Sequence, residues 1–310
     1  MNATVPGTII RGVGVTLPQT AGDPELLEDA LETLSRLGCA YAEIPLYAQT
    51  MIVGGRILWP QVEAFRNLCA RHPLRYTVHG PISGNFMDDA NRESHVAVTR
   101  ATIEIAAALG SDTVVVHAGR IRTSEPAVVE RQMRAERNAM RILGDVAAAF
   151  GVRLALENLF AEPPYAFAAN VARLARQVAE IDHEHVVGTL DFSHAYLQAN
   201  HEGIDYADAV AAYAPHVGHL HVHDSFGRMK SAPTFLGTED LALGQGDLHL
   251  PLGWGTLPYD EVVPRMKVRP GTTLIVELPY RYWSELEETV ERARRIAGML
   301  ERASTGLAAD

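Results

Sequence analysis

Cysteine is scarce in this chain, with two in 310 residues. Cys39 and Cys69 lie far apart and lack a C-x-x-C spacing, which excludes a disulfide-stapled scaffold and a cysteine zinc knuckle. They are expected to be reduced core residues of a cytoplasmic protein. Long apolar runs are also missing. None approaches the ~18 residues of a membrane span, so no transmembrane segment is expected. The first residues, MNATVPGTIIRG, show no basic segment followed by an apolar one, and no signal peptide is read there. A lysine and arginine run is absent as well. The chain carries 27 Lys+Arg against 38 Asp+Glu, a net charge of -11. An acidic surface repels a phosphodiester backbone unless a local basic patch overrides it. The arginines between Arg131 and Arg141 are interspersed with glutamate and read as a solvated helix face. Nucleic acid is therefore not an expected partner. Finally, GVGVTLPQ lacks the G-x-G-x-x-G spacing that a dinucleotide-binding doubly wound sheet requires after its first strand.

What is present is a large apolar fraction, 47%, arranged in eight short runs. They are TIIRGVGVTL (8–17), YAEIPLYA (41–48), RYTVHGP (75–81), TVVVHAGR (113–120), RLALENL (153–159), VGTLDFSHA (187–195), VGHLHVHDS (217–225) and TLIVELPY (273–280). Helical periodicity fills the intervals, as in PELLEDALETLSRLG (24–38) and VTRATIEIAAALG (98–110). Gly38, Gly110 and Gly151 stand where helix C-termini are expected. Strand and helix in strict alternation predict a parallel sheet, and eight repeats predict its closure into a single (β/α)8 TIM barrel. No change of composition marks a linker. One domain is read over residues 1–302, with 303–310 as a frayed tail. The stretch FGRMKSAPTFLGTEDLALGQG (226–246) reads as a long irregular loop after strand seven, on the face where such loops have a use.

Each core strand is apolar until its end and then breaks into a polar residue. The breaks are His79, His117, Glu157, Asp191 with His194, His221 with its neighbours, and Glu277. In a barrel the C-terminal strand ends converge on one face, so scatter in sequence becomes a cluster in space. Glu157 and Glu277 lie between apolar residues, in LALENL and LIVELP. A buried isolated carboxylate is costly and requires a cation or a proton. Six strands breaking in the same way point to a shared metal centre. Histidine with carboxylate, and no cysteine, suits Zn²⁺, Mn²⁺, Co²⁺ or Mg²⁺.

In HLHVHDS, alternate residues face the same side, about 6.5–7 Å apart. His219 is expected in a packed polar layer and His221 at ligand level. His223 and Asp224 are expected at the rim, beside substrate or a second metal. Beyond the long loop, Asp247 and His249 share a face in GDLHLPLGWG, and Gly253 and Gly255 permit a tight turn there. Trp254 is read as an apolar wall for a sugar face, with a core tryptophan as the alternative.

These motifs resemble the xylose isomerase-like barrel superfamily, which includes sugar isomerases, ketose 3-epimerases, inositol-catabolism enzymes and type IV apurinic endonucleases. The likeness spans about residues 8 to 300. It implies that Glu157, Asp191, His221 and Glu277 bind the metal, as in the ketose epimerases, and that the two glutamates exchange a proton on a sugar carbon. His194 resembles the family's substrate-contacting histidine in the D-x-x-H motif. Arg228 falls near an arginine that holds substrate oxygens there, though out of register with it. The endonuclease branch holds three zinc ions, and this chain is similar at each of its ligands: His79, His117, Glu157, Asp191, His194, His221, Asp247, His249 and Glu277. It departs from that branch at Ile82, where a tyrosine is typical, and in its acidity around Glu239 and Asp240.

The resemblance therefore implies a metal-dependent sugar isomerase or epimerase, or a related keto-sugar lyase. Proton transfer would pass through a metal-stabilised enediolate, with Glu157, Glu277 and His194 catalytic and His223, Arg228 and Trp254 contacting substrate. One to three divalent ions are implied, with Mn²⁺ or Zn²⁺ favoured. The expected partner is a small sugar or polyol-carbonyl compound; assembly into a homo-oligomer stays open. The alternative reading is a multi-zinc phosphodiesterase of the apurinic endonuclease type.

Overall fold

The computed structural model describes residues 8–19 and 23–306. The extreme N-terminus, where no signal peptide was read, lies outside these residues, as does the end of the expected tail. Eight strands form the core: β1 (Ile10–Thr16), β2 (Tyr41–Pro45), β3 (Arg75–His79), β4 (Thr113–His117), β5 (Arg153–Glu157), β6 (Val186–Asp191), β7 (Val217–Val222) and β8 (Thr272–Val276). They pair in parallel in the order β1-β8-β7-β6-β5-β4-β3-β2 and close on themselves. All eight expected runs are barrel strands. Each is buried on both faces, by helices outside and by side chains within. That is why they read as continuous apolar segments rather than alternating ones.

The helices between the strands follow local rules. The first, α1 (Pro24–Arg36), is capped by Asp23, whose carboxylate accepts from the amides of Glu25 and Leu26. Its Leu27, Ala30, Leu31 and Leu34 recur at helical spacing and are all buried against the barrel. After α2 (Trp59–Cys69) and α3 (Arg92–Ala108) comes the longest helix, α4 (Pro126–Phe150). It ends at Gly151, in the left-handed conformation at φ 68°, where a side chain would be strained. The series continues through α5 (Val171–Ile181), α6 (Phe192–Glu202) and α7 (Tyr206–Tyr213). The long stretch 226–246 is not wholly irregular, since it contains the short helix α8 (Gly237–Leu243). After α9 (Tyr259–Val262), α10 (Leu286–Thr305) closes the chain. The tail expected from residue 303 thus falls partly on the end of this helix. Cys39 and Cys69 are free and buried, and burial pushes their thiols up to about 11 and about 12 respectively.

Inside the barrel, residues stack in layers by strand parity. Val115, Ala155 and Val187 form a separate apolar group on β4, β5 and β6. They are two or four positions below His117, Glu157 and Asp191 on the same strand faces. Beside them lies a fully buried polar layer that includes Glu43, Thr77 and His219. The mouth therefore rests on a packed floor and not on a water-filled pore.

Candidate metal centre

The register brings the strand ends level. His117 pairs with Glu157 across β4 and β5, and Asp191 pairs with His221 across β6 and β7. Asn158 locks the next step: its side chain accepts from the Asp191 amide and donates to the Asp191 carbonyl, both at 2.9 Å. Asp191 also caps α6 by accepting from the His194 amide at 2.7 Å, which delivers His194 to the mouth.

Five overlapping groups of ligand-type side chains result among the described residues, each with its ligand atoms within 4.8 Å of one another, and three of them together hold every expected ligand. The first is His79, His117 and Glu157. The second is Glu157, Asp191, His221 and Glu277, with Glu157 common to both. The third is His194, His223, Asp247 and His249. All nine expected ligands are in these groups. They form the floor of an open cavity of about 610 Å³, which Glu157, His194, Asp247 and Glu277 line.

The orientation of the imidazoles shows what they face. The Nδ1–H of His79 donates to the Gly80 carbonyl and that of His117 to the Ile82 carbonyl, each at 2.8 Å. His194 does the same to Asn158 O at 3.1 Å, and His249 to Glu277 O at 3.3 Å. A carbonyl only accepts, so Nδ1 carries the proton and the neutral ring presents a lone pair at Nε2. Those Nε2 atoms point at carboxylates. His79 lies 3.1 Å from Glu157, His194 lies 3.1 Å from Asp247, and His249 lies 2.8 Å from Asp247. A lone pair facing a carboxylate oxygen is repulsive unless a proton or a metal ion lies between them.

The electrostatics express the same need. Burial alone would lower His194 and His221, but Asp191 and Glu277 respectively lead the carboxylates that raise both well above the ordinary range. Burial would likewise raise Glu157, but His221 and His117 hold it well below that range. Asp247 is held down in the same way by His249 and His194. His249 is pushed up to about 9, where burial is outweighed by Asp247. His117 is the exception: burial dominates and takes it down to about 4, so it is neutral and ready to bind a metal.

Buried atoms without a hydrogen-bond partner complete the test. They include His221 Nδ1, His223 Nδ1 and Asp247 Oδ1. His221 Nδ1 sits 3.4 Å from Glu157 and 3.4 Å from Glu277 without an aligned hydrogen bond to either. Buried polar atoms are rarely left unpaired. A cation fits these residues: imidazoles drawn toward positive charge by carboxylates, and orphaned ligand atoms that converge. A donor set of imidazole and carboxylate suits a divalent metal ion.

Three residues read as substrate contacts are placed elsewhere. His223 is fully buried, not at the rim, with Nε2 3.0 Å from Asp191 and its ring stacked on His249 at 3.9 Å. It belongs with the third ligand group because the chain beyond β7 still runs inside the barrel there. Arg228 is exposed and does not line the cavity. Trp254 is 52% exposed and packs edge-on against Tyr282, also off the cavity. The turn that carries Trp254 is aimed outward by Asp224, which accepts from the amides of Gly253 and Leu257 at 2.8 and 3.2 Å. Asp224 is thus a loop clamp.

The sequence reading missed Glu43, buried in the middle of AEIP on β2 and bonded to His219 at 2.9 Å. The signal was available, since Glu43 sits in an apolar run just as Glu157 does. Tyr47, Phe160, Arg120 and Lys230 line the cavity and were also missed. They lie beyond the barrel strands, Phe160 and Lys230 on loops and Tyr47 and Arg120 in short elements of two or three residues, where no period marks them. Glu136 was assigned to a solvated face and is instead fully buried on α4, accepting from the Gly119 amide at 2.6 Å and from Gln177 at 2.9 Å.

The xylose isomerase-like TIM barrel family matches residues 31–302. The chain belongs to this family. A protein of Methanocaldococcus jannaschii, known only as uncharacterized, is 24% identical over 250 residues, covering 79% of this chain and 76% of its own. Among solved structures, a D-tagatose 3-epimerase-like protein superposes with a TM-score of 0.66 at 19% identity, over 96% of this chain and 100% of its own. A Thermus thermophilus protein soaked with zinc chloride superposes at 0.65 with 21% identity, over 92% and 98%. At these identities the likeness establishes the shared barrel. Among the described residues, no helix is long and apolar enough to cross a membrane.

Proposed function

We propose that this family member is a divalent-metal-dependent sugar isomerase or epimerase that moves a proton at a carbon beside a carbonyl. The observation that carries this reading is that Glu157 and Glu277, from the ends of two different strands, line one cavity and converge with the fully buried Asp191 and His221 beneath it. When bound there, a divalent ion supplies Lewis acidity to adjacent substrate oxygens. One glutamate takes the proton from carbon and the other returns one, which inverts the centre or shifts the carbonyl. His194 orients a hydroxyl from its place beside Asp247. Leu17, Leu159 and Phe160 provide apolar wall, and Tyr47 and Gln19 provide polar groups at the mouth. The Tyr47 phenol is pushed up from its ordinary value, burial first, with Glu277 and Glu43 adding to it. It stays protonated and donates to a substrate oxygen. The likeness to a D-tagatose 3-epimerase-like protein supports the same class.

The test is solvent deuterium incorporation into a panel of ketoses and keto-glycosides with Mn²⁺-loaded protein. Wild type is expected to wash deuterium into one substrate, and E157Q and E277Q to abolish it. A filled metal site with no washout across the panel removes the proposal.

A second reading, a multi-metal phosphodiesterase, is favoured by one observation: the first and third ligand groups are complete in addition to the second. Arg120 and Lys230 at the mouth are the cavity's cations. Incision of an abasic-site duplex by the zinc-loaded protein, lost with chelator, decides in its favour.

A further inference from the structure

We propose that Glu43 is the positioning residue that makes His221 a ligand, in the role that backbone carbonyls fill for the other cavity histidines. His79, His117, His194 and His249 each commit Nδ1–H to a carbonyl and present Nε2 to the cavity. His221 is reversed. Its Nδ1 faces Glu157 and Glu277, and its Nε2 lies 3.0 Å from Glu43 Oε1. The reason for the reversal is local. His221 lies within β7, where the carbonyls are taken by the ladder to β6 and β8, and none is free to fix its ring. A side chain from across the barrel has to do so, and β2 supplies it.

Glu43 is built for that task. It is fully buried, and Thr77 and His219 both donate to its Oε2, at 3.0 and 2.9 Å. Thr16 approaches Oε1 at 3.4 Å. The supports come from β1, β3 and β7, so the carboxylate is held from three sides and its Oε1 is left for His221. The contact to His221 is close but not aligned on the N–H direction, and a small rotation of the ring completes it. A carboxylate partner, unlike a carbonyl, raises the basicity of the imidazole and strengthens its bond to a metal. The alternative, in which Glu43, His219 and His221 themselves enclose an ion, would consume the nitrogen and oxygen that now face each other.

This inference rests on the metal-centre reading but not on the reaction catalysed. The experiment is titration of the metal-free full-length chain with Mn²⁺, and separately Zn²⁺, by calorimetry, with the absorption spectrum of bound Co²⁺ as a second readout. E43Q keeps the shape, but its amide can donate to His221 Nε2 and drive the proton to Nδ1. It is expected to weaken one class of site by about 10–100-fold and to shift the Co²⁺ spectrum. The remaining sites and the metal-free melting temperature should be unchanged. T77V, which removes one support and leaves Glu43 in place, is expected to weaken the same class a few-fold and serves if E43Q does not fold. Unchanged affinity in both variants, uniform weakening of every site, or the loss of one whole metal equivalent in E43Q would overturn the assignment. If wild type binds no divalent metal, the metal-centre reading fails instead.

Discussion

Two regions of the molecule bury carboxylates, and they treat them in opposite ways. At the barrel mouth, burial would raise Glu157 and Asp247, but histidines surround them and hold both well below the ordinary range. In the outer layer, Glu136 on α4 is as deeply buried and has neutral donors, Gly119 and Gln177, as its hydrogen-bond partners. There burial prevails and takes the carboxyl up to about 7. Burial alone therefore does not keep a carboxylate charged. What does is a set of groups that favours the charged form, and at the mouth that same set can hold a cation.

The largest way to break this contrast is to remove the charge that two ligand groups share. E157Q is expected to lower turnover by about 10³-fold or more and to weaken the first two ligand groups together, read by steady-state rates and metal titration. E136Q should leave metal binding untouched. Next in size is removal of the metal itself. Saturating Mn²⁺ or Zn²⁺ at about 1,000 times its Kd should add about 4 kcal/mol to the unfolding free energy. Chelator should take that away, as measured by chemical denaturation.

Smaller is the pH response of Glu136. Its folded pKa, about 7, lies above the ordinary 4.5, so the neutral form stabilises the fold at low pH. That contribution is lost as pH rises through about 7, and wild type should lose on the order of 2 kcal/mol between pH 5 and 8 relative to E136Q. Denaturation of metal-free protein at both pH values checks it; equal slopes for the two proteins would erase the distinction between the regions. The smallest effects belong to residues off the cavity. R228A and W254A should change kcat/KM by less than about 2-fold, since the exposed side chains touch neither region and surface changes cost little. A tenfold loss in either would mean that the cavity extends further over the loop at 226–246.

Much of the barrel was legible because its eight strands are mostly apolar runs and its helices end at glycines such as Gly38 and Gly110. The nine candidate ligands were legible because each interrupts or closely follows an apolar or turn-flanked run. Glu43 interrupts one as well, but it sits in mid-strand, and only the register of β1, β2 and β3 shows which histidines it meets. His223 was misjudged for a related reason. Strand parity gives the face of a residue and not its depth, and its ring stacks inward on His249. Arg228 and Trp254 were assigned from proximity in the chain, which says little about direction once a loop turns.

Period and composition were enough to specify a closed parallel barrel and to say which side chains must gather at its mouth. Those properties follow from local backbone geometry and from the cost of leaving charge unpaired in an apolar strand. Folding settled which nitrogen of each ring faces the cavity, which carboxylates are shared, and that Glu136 stands apart from the rest. Those outcomes rest on contacts between residues far apart in the chain, such as His221 with Glu43 and His194 with Asp247, whose distances no linear pattern records.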